Sequence, residues 1–192
     1  MNCSVYSPAI QPLILTETML KGVIMTSKQL SLSLICLLTV FNVSTVIADD
    51  VKDNSRQSAH TLEVAQAFLW AAGSGDMEKL NDLMSDDFVW HNEGDKHVPW
   101  IGTWKTKEKV LGTFLPRFGA GLKTTSWTTD YSFSNGDQAV FMGTMSATAN
   151  NTGVDTGKFS WAVRVHVEND KVKSWNWFED SYAVSQAYKA KK

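Results

Sequence analysis

The sequence DDFVWHN at residues 86–92, followed by PWIGTW at residues 99–104, is the most informative part of this chain. It places apolar, hydrogen-bonding and titratable side chains on one short strand and on the loop after it. A mostly apolar surface with a few polar groups that orient a ligand is typical of a small-molecule pocket. We therefore expect this segment to form one wall of such a pocket, with three tryptophans that contact the ligand: Trp90, Trp100 and Trp104.

The residues on either side of this strand predict three helices. Apolar residues recur at helical spacing from Leu62 to Ala72, until the sequence GSG at residues 73–75 ends the first helix. Asp76 is then expected to cap a second, shorter helix, and Thr106 a third one.

After the third helix the apolar period changes from 3.6 to 2, which predicts strands. The sequence SNGD at residues 134–137 separates two alternating runs and is a strong hairpin signal. Four strands are predicted in this region, at residues 126–133, 138–149, 158–168 and 171–180. Three helices followed by a four-stranded antiparallel meander predict an α+β fold, in which the helices cover one face of a curved sheet.

Residues 1–48 have the features of a secretory signal peptide. Counted from Met25, a positive charge at Lys28 precedes an apolar run, and small residues end at Ala48. We expect cleavage after Ala48, a true start at Met19 or Met25, and a secreted or periplasmic protein. The apolar run is shorter than the roughly 20 residues that cross a bilayer, so we expect no membrane association after cleavage. A flexible leader at 49–57 and a single domain at 58–190 are predicted to follow.

Composition excludes several classes of function. Both cysteines, Cys3 and Cys36, lie in the predicted signal peptide, which excludes a catalytic thiol and a thiolate metal site from the mature chain. The net charge is −2 and no basic stripe is present, which argues against nucleic acid as a partner. All eight tryptophans lie after residue 48, an aromatic content that predicts a large core or a pocket lined with indoles.

The order of elements and three segments resemble the SnoaL-like and ketosteroid-isomerase-like proteins of the nuclear transport factor two-like superfamily. The segments are residues 74–90, 99–104 and 171–180, and the resemblance covers the chain from Ala59 to Tyr188. It implies a cone-shaped, cystatin-like α+β barrel whose open mouth admits a hydrophobic small molecule, with the first helix as a wall that includes Phe68. Related enzymes isomerise steroids, close polyketide rings or open epoxides, and other members bind ligands without catalysis.

Strand alternation then assigns side chains to the inside. On the strand at 158–168, one face carries Phe159, Trp161, Val163, Val165 and Val167, and we expect this face to be the inner one. The resemblance implies an inward carboxylate at Asp180, so Asn176 and Phe178 are placed inside with it. On the strand at 138–149 we expect Thr144 and Ser146 inside, which leaves no second acid there.

Asp180 is the predicted general base. An apolar surrounding disfavours its charged form and raises its pKa toward neutral pH, where it would be a better base. Removal of a proton next to a carbonyl also needs hydrogen-bond donors for the enolate oxygen, and His91 and Asn92 are the candidates. The alternative is that Asp180 only caps the helix that follows it.

Two functions remain open. One is a cofactor-independent isomerase, cyclase or dehydratase that acts on a hydrophobic carbonyl compound, and the other is a non-catalytic ligand-binding or dimerisation module. His91, Glu93, Asp95 and His97 match no metal-site spacing, so we expect neither a metal nor another cofactor. The same alternation places Trp175 and Trp177 on the outer face, which predicts that a homodimer or the C-terminal segment covers them.

Overall fold

A curled, unclosed six-stranded sheet is the central element of the structure, a computed structural model that describes residues 27–191. Its strands are β1 (Met84–Asn92), β2 (Gly102–Lys105), β3 (Leu122–Asn135), β4 (Gln138–Ala149), β5 (Phe159–Glu168) and β6 (Lys171–Glu179). They are ordered β2-β1-β6-β5-β4-β3. The predicted meander of β3 to β6 is antiparallel, whereas β1 joins β6 in parallel and adds the short strand β2 on its other side.

Helices precede, interrupt and follow the sheet. They are α1 (Ser27–Ser74), α2 (Met77–Leu83), α3 (Lys107–Lys109), a π-helical turn (Val110–Phe114), α4 (Leu115–Gly121) and α5 (Ser181–Lys189). The two predicted caps are confirmed: Asp76 accepts a hydrogen bond from Lys79 N at 3.0 Å, and Thr106 accepts one from Lys109 N at 3.4 Å. The predicted third helix is divided into α3, the π-helical turn and α4.

The chain divides into two units, residues 1–45 and 46–192. Residues 1–26, which contain the proposed start positions, lie outside the described residues, so the signal peptide stays a prediction. Residues 49–57, where we expected a flexible leader, lie within α1. In the described part of the chain, no helix combines the length and hydropathy of a membrane span.

The C-terminal half of α1 is fastened to the turn between β3 and β4. Ser134 Oγ donates to Ser58 O at 2.7 Å, and Gly136 N donates to Ser58 Oγ at 2.8 Å. Thr61 Oγ1 donates to Gly136 O at 2.7 Å. Gly136 has a φ of 56°, a conformation that costs glycine little because it has no Cβ. The predicted hairpin turn is therefore also an anchor for the helix.

The buried residues of the meander identify the inner face of the sheet. The five apolar residues predicted to face inward on β5 are all buried, so that prediction is confirmed. They pair with buried residues of the neighbouring strands, for example Val163 with both Phe141 and Trp177. Side chains directly opposite one another share a face, so these residues form one continuous apolar surface.

On β4 and β6 the predicted inner faces were wrong by one residue. Buried residues alternate through Phe141, Met145 and Ala147 on β4, which places Thr144 and Ser146 on the outer face. On β6, Trp175 and Trp177 are buried, with 1% and 9% of their surface exposed, whereas Phe178 is 44% exposed. Burial of two indoles removes far more apolar surface from water than burial of Asn176 and Phe178, so it determines the orientation of the strand.

Candidate ligand cavity

A cavity of about 690 Å³ lies between the inner face of the sheet and the helices. Its lining is mainly aromatic and aliphatic, with residues from α1, α2, the π-helical turn, α4 and four strands: Leu69, Met77, Leu80, Trp90, Phe114, Phe118, Trp127, Met145, Trp175 and Trp177. Four polar side chains share this lining, Ser74, Asn92, Thr124 and Glu179. A concave, apolar site with few polar groups is the usual form of a small-molecule site.

Glu179 is the one titratable side chain that lines the cavity within the described residues. It is the last residue of β6 and lies on the same face as Trp175 and Trp177. Burial raises the pKa of its carboxyl to about 7, although the hydrogen bond from Trp177 Nε1 to Glu179 Oε2, at 2.8 Å, acts in the opposite direction. The nearby charge of Asp180 raises this pKa slightly further. A carboxyl with a pKa near 7 can both accept and return a proton at neutral pH.

Asn92 supplies an amide to the same wall. It ends β1, is only 4% exposed, and pairs with Trp177 across the parallel β1–β6 ladder. Glu179 lies two residues beyond Trp177 on the same face, so the backbones of Asn92 and Glu179 are roughly 8 Å apart. Trp90 Nε1 donates to Asn92 Oδ1 at 2.7 Å, and Asn92 Nδ2 donates to Trp100 O at 3.4 Å.

Three indoles stack beside the acid. The ring centroids of Trp127 and Trp161 are 4.2 Å apart, and those of Trp161 and Trp177 are 5.1 Å apart at an interplanar angle of 12°. Trp161 stands behind Trp127 and Trp177, the two members of the stack that line the cavity. The buried Nε1 atoms of Trp161 and Trp175 have no hydrogen-bond partner in the described part of the chain.

Asp180, the predicted base, lies elsewhere. It is exposed, and its carboxylate accepts a hydrogen bond from Ala183 N at 3.2 Å, which caps α5. The helix cap considered as the alternative is therefore present, and Asp180 is not among the residues that line the cavity. Asp180 was predicted to lie inside because of the same one-residue error on β6. The strand orientation that buries Trp175 and Trp177 turns Glu179 inward.

His91 also lies outside the cavity. It occupies the face of β1 opposite Trp90 and Asn92, where Nδ1 is 2.7 Å from Thr103 Oγ1 and Nε2 is 2.9 Å from Glu93 Oε1. Of the three predicted catalytic residues, only Asn92 lines the cavity.

The predicted ligand contacts divide into three groups. Trp90 lines the cavity. Phe68, Trp100, Trp104 and Trp161 pack behind residues of the wall: Phe68 against Trp90 and Trp175, Trp100 against Phe118, Trp104 against Phe114, and Trp161 against Trp177. Asn176 and Phe178 point to the outer face of the sheet. Glu179 and Trp127 line the cavity but were missed by the sequence analysis.

Asp95, in the loop after β1, accepts hydrogen bonds that hold this loop against α5. Its Oδ2 accepts hydrogen bonds from Lys189 Nζ and Ser185 Oγ, both at 2.6 Å, and its Oδ1 accepts one from His97 N at 3.0 Å. The Lys189 ammonium, followed by Ser185, holds the pKa of Asp95 well below its usual range. These bonds attach the loop after β1 to α5. Among the described residues, no group of three potential ligands could hold a metal ion.

Comparisons with known proteins agree with this architecture. A family model of the SnoaL-like domain matches residues 65–175. An NTF2-like protein from Burkholderia xenovorans LB400 is 18% identical, with a TM-score of 0.62 over 68% of this chain and 97% of its own. No curated protein matches the chain.

Two further solved structures are similar in the same way. One, described as a candidate SnoaL-like polyketide cyclase from Jannaschia sp. CCS1, is 14% identical, with a TM-score of 0.57 over 71% of this chain and 96% of its own. The other, described as a candidate isomerase from Rhodopseudomonas palustris, is 17% identical, with a TM-score of 0.57 over 65% of this chain and 94% of its own. At these identities the likeness concerns the fold alone.

Proposed function

The chain belongs to the SnoaL-like domain family, and we propose that it binds a hydrophobic carbonyl compound in the cavity and exchanges a proton with it through Glu179. The fold is one that serves isomerases, cyclases and ligand-binding proteins. The observation that carries the proposal is Glu179, a carboxyl with a pKa of about 7 in a largely apolar cavity.

The proposed step is the removal of a proton from the carbon next to a carbonyl. The Glu179 carboxylate takes the proton, the electrons of the C–H bond form the carbon–carbon double bond of an enolate, and the carbonyl oxygen gains the negative charge. Asn92 Nδ2 donates a hydrogen bond to that oxygen, and Glu179 returns the proton to the same or another carbon. A donor fixed where charge develops stabilises the transition state. Isomerisation and ring closure both proceed through such a step.

Hydrogen–deuterium exchange tests this step without knowledge of the natural ligand. We would follow loss of the C2 protons of 1-tetralone, a bicyclic ketone, in D₂O by NMR, with and without the protein. Glu179→Gln is expected to lower the protein-dependent rate by about 10² to 10⁴, the usual contribution of a general base. Asp180→Asn is the matched control, since Asp180 is exposed, and should retain the wild-type rate within about twofold.

The second candidate function is ligand binding without catalysis. It is favoured by the inner positions of β4, where Gly143 and Met145 stand and no second acid is present. Binding of 1-tetralone to the wild type without exchange above the background rate would support this candidate and contradict the proposed catalytic step.

We also propose that the protein forms a homodimer, through different residues from those predicted. Trp175 and Trp177 are buried in the monomer, so they do not form the outer face. Cross-strand pairing instead forms an outer row of Tyr131, Met142, Ala162 and Phe178, beside Phe133. Tyr131 is 67% exposed and Phe133 is 53% exposed. A twofold axis would pair this row with its copy.

Sedimentation equilibrium tests the dimer. The wild type should sediment as a dimer, and the double variant Tyr131→Ser, Phe178→Ser as a monomer. A monomeric wild type at all concentrations would contradict the proposal.

Export likewise remains a proposal, supported by the signal-peptide features of residues 25–48. N-terminal sequencing of the protein recovered from the periplasm or medium should begin at Asp49. Recovery of the uncleaved chain from the cytoplasm alone would contradict it.

A further inference from the structure

The hydrogen bond between Trp90 and Asn92 has a fixed direction. Trp90 Nε1 lies 2.7 Å from Asn92 Oδ1, and both residues are buried. An indole nitrogen carries one hydrogen and accepts none, so only the oxygen of the amide can be its partner. The reversed amide would place two donors against each other in a buried site, which is strongly unfavourable. Trp90 therefore sets the orientation of the Asn92 side chain.

Asn92 lines the cavity, and this orientation leaves part of the hydrogen-bonding capacity of its amino group unused. Nδ2 has a long bond of 3.4 Å to Trp100 O, and that carbonyl already accepts a shorter bond of 3.1 Å from Trp104 Nε1. Within the described residues, no other acceptor bonds Nδ2. An amide nitrogen has two hydrogens, so at least one remains for a ligand.

We propose that Trp90 sets the hydrogen-bond polarity of the cavity, so that Asn92 donates to the ligand and the cavity selects ligands with an acceptor group at this position. The cavity should therefore bind ketones and other carbonyl compounds more tightly than hydrocarbons of the same shape. Trp90 acts here as a positioning residue, through Asn92. This inference rests on the proposed function, because it requires that the ligand occupies this cavity.

A matched pair of ligands measures the polarity. Tetralin has the bicyclic frame of 1-tetralone without the carbonyl oxygen, so a change in the ratio of their dissociation constants between wild type and variant isolates the hydrogen bond to the ketone. Titration calorimetry at pH 9 keeps Glu179, with its pKa of about 7, ionised and unable to donate. The wild type should bind the ketone about fivefold to tenfold more tightly, as one net hydrogen bond allows.

Two variants remove the preference in different ways. Trp90→Phe leaves the amide free to reverse, and the ratio should fall to between one and two. Asn92→Leu, which has nearly the same shape, removes the donor itself and should reduce the ratio to one or below, because the buried carbonyl then has no partner. Trp70→Phe is the control, since Trp70 is 67% exposed on α1, and its ratio should equal that of the wild type. Circular dichroism establishes that each variant is folded.

The outcomes separate this inference from the proposed function. If neither ligand binds the wild type, the proposed function fails and the inference fails with it. If both bind with equal affinity, or if Trp90→Phe retains the wild-type ratio, the inference is overturned, and the proposed proton exchange through Glu179 is unaffected. Should Trp90→Phe not fold, Asn92→Leu decides, and an undiminished ratio in that variant overturns the inference.

Discussion

Glu179 and Asp180 are neighbours in the chain, yet one lines the cavity and the other lies at the surface. Glu179 shares its face of β6 with two buried indoles, and burial raises its pKa to about 7. Asp180 follows the strand, is exposed to solvent and caps α5. A step of one residue thus separates a carboxyl in the cavity lining, with a raised pKa, from a carboxylate at the surface that caps a helix. Glu179 faces the cavity because it ends β6 on the face of Trp175 and Trp177, whereas Asp180 lies beyond the strand.

The pH dependence of exchange should distinguish Glu179 from Asp180 by the largest effect. If ionised Glu179 is the base, the rate of 1-tetralone exchange should follow its ionised fraction and fall roughly fiftyfold between pH 7 and pH 5. NMR measurements from pH 4 to pH 9 would give the profile. Asp180→Asn should leave the midpoint near 7. A midpoint near 4 in the wild type would instead indicate a carboxyl exposed to solvent.

The two faces of β6 should differ strongly in their contribution to stability. Trp175 packs against Phe68 and Trp90 with centroid distances of 5.0 and 5.3 Å, so Trp175→Ala should lower the free energy of unfolding by about 3–5 kcal/mol. Phe178→Ala, on the outer face, should lower it by less than about 1 kcal/mol in the monomer. Urea unfolding measures both. Equal losses would contradict the assignment of the faces.

Burial of Glu179 should also make stability depend on pH. Its pKa is raised from 4.5 to about 7 in the folded protein, so between these values the folded state binds more protons than the unfolded state. Stability should therefore fall as pH rises from 4.5 to 7, by roughly 2–3 kcal/mol, and not from this cause above 7.

Glu179→Gln removes this titration. The difference in unfolding free energy between wild type and variant should change with pH in this window, in the sense that the variant gains relative stability at high pH. Urea unfolding at pH 5 and pH 8 measures the difference. A constant difference at both pH values would contradict a raised pKa of Glu179 in the folded protein.

The strands differ in how well the pattern of apolar residues determines which face lies inside. On β5 one face is wholly apolar and the other contains Arg164 and His166, so the pattern admits one orientation. On β4 both faces contain apolar residues, such as Val140 and Phe141, and the pattern is ambiguous. On β6 the two large apolar side chains Trp175 and Trp177 share one face, and their burial makes it the inner one. The prediction instead followed the resemblance to the family, which placed Asp180 inside.

Long-range pairing was the other feature that local patterns could not predict. The parallel ladder between β1 and β6 joins Asn92 to Trp177, residues far apart in the chain. The direction of that ladder brings Asn92 to the same wall as Glu179. The sequence alone identified Asn92 as a site residue but did not identify Glu179. β2 has only four residues, too few for a periodic signal.

Asp180 should contribute to stability only through its bond to α5. Asp180→Ala removes the acceptor for Ala183 N and should lower the free energy of unfolding by about 1 kcal/mol, the usual value of a helix cap. Asp76→Ala removes the corresponding bond at α2 and should have a similar effect, so it serves as the matched control. Asp180→Ser retains a capping oxygen and should recover most of the loss.

Urea unfolding measures all three variants, and the exchange rate of 1-tetralone should stay within about twofold of the wild type in each. A hundredfold loss of exchange in folded Asp180→Ala, with Glu179→Gln unaffected, would reverse the roles proposed for the two acids, because it would mean that the exposed carboxyl reaches the ligand and the one in the cavity lining does not.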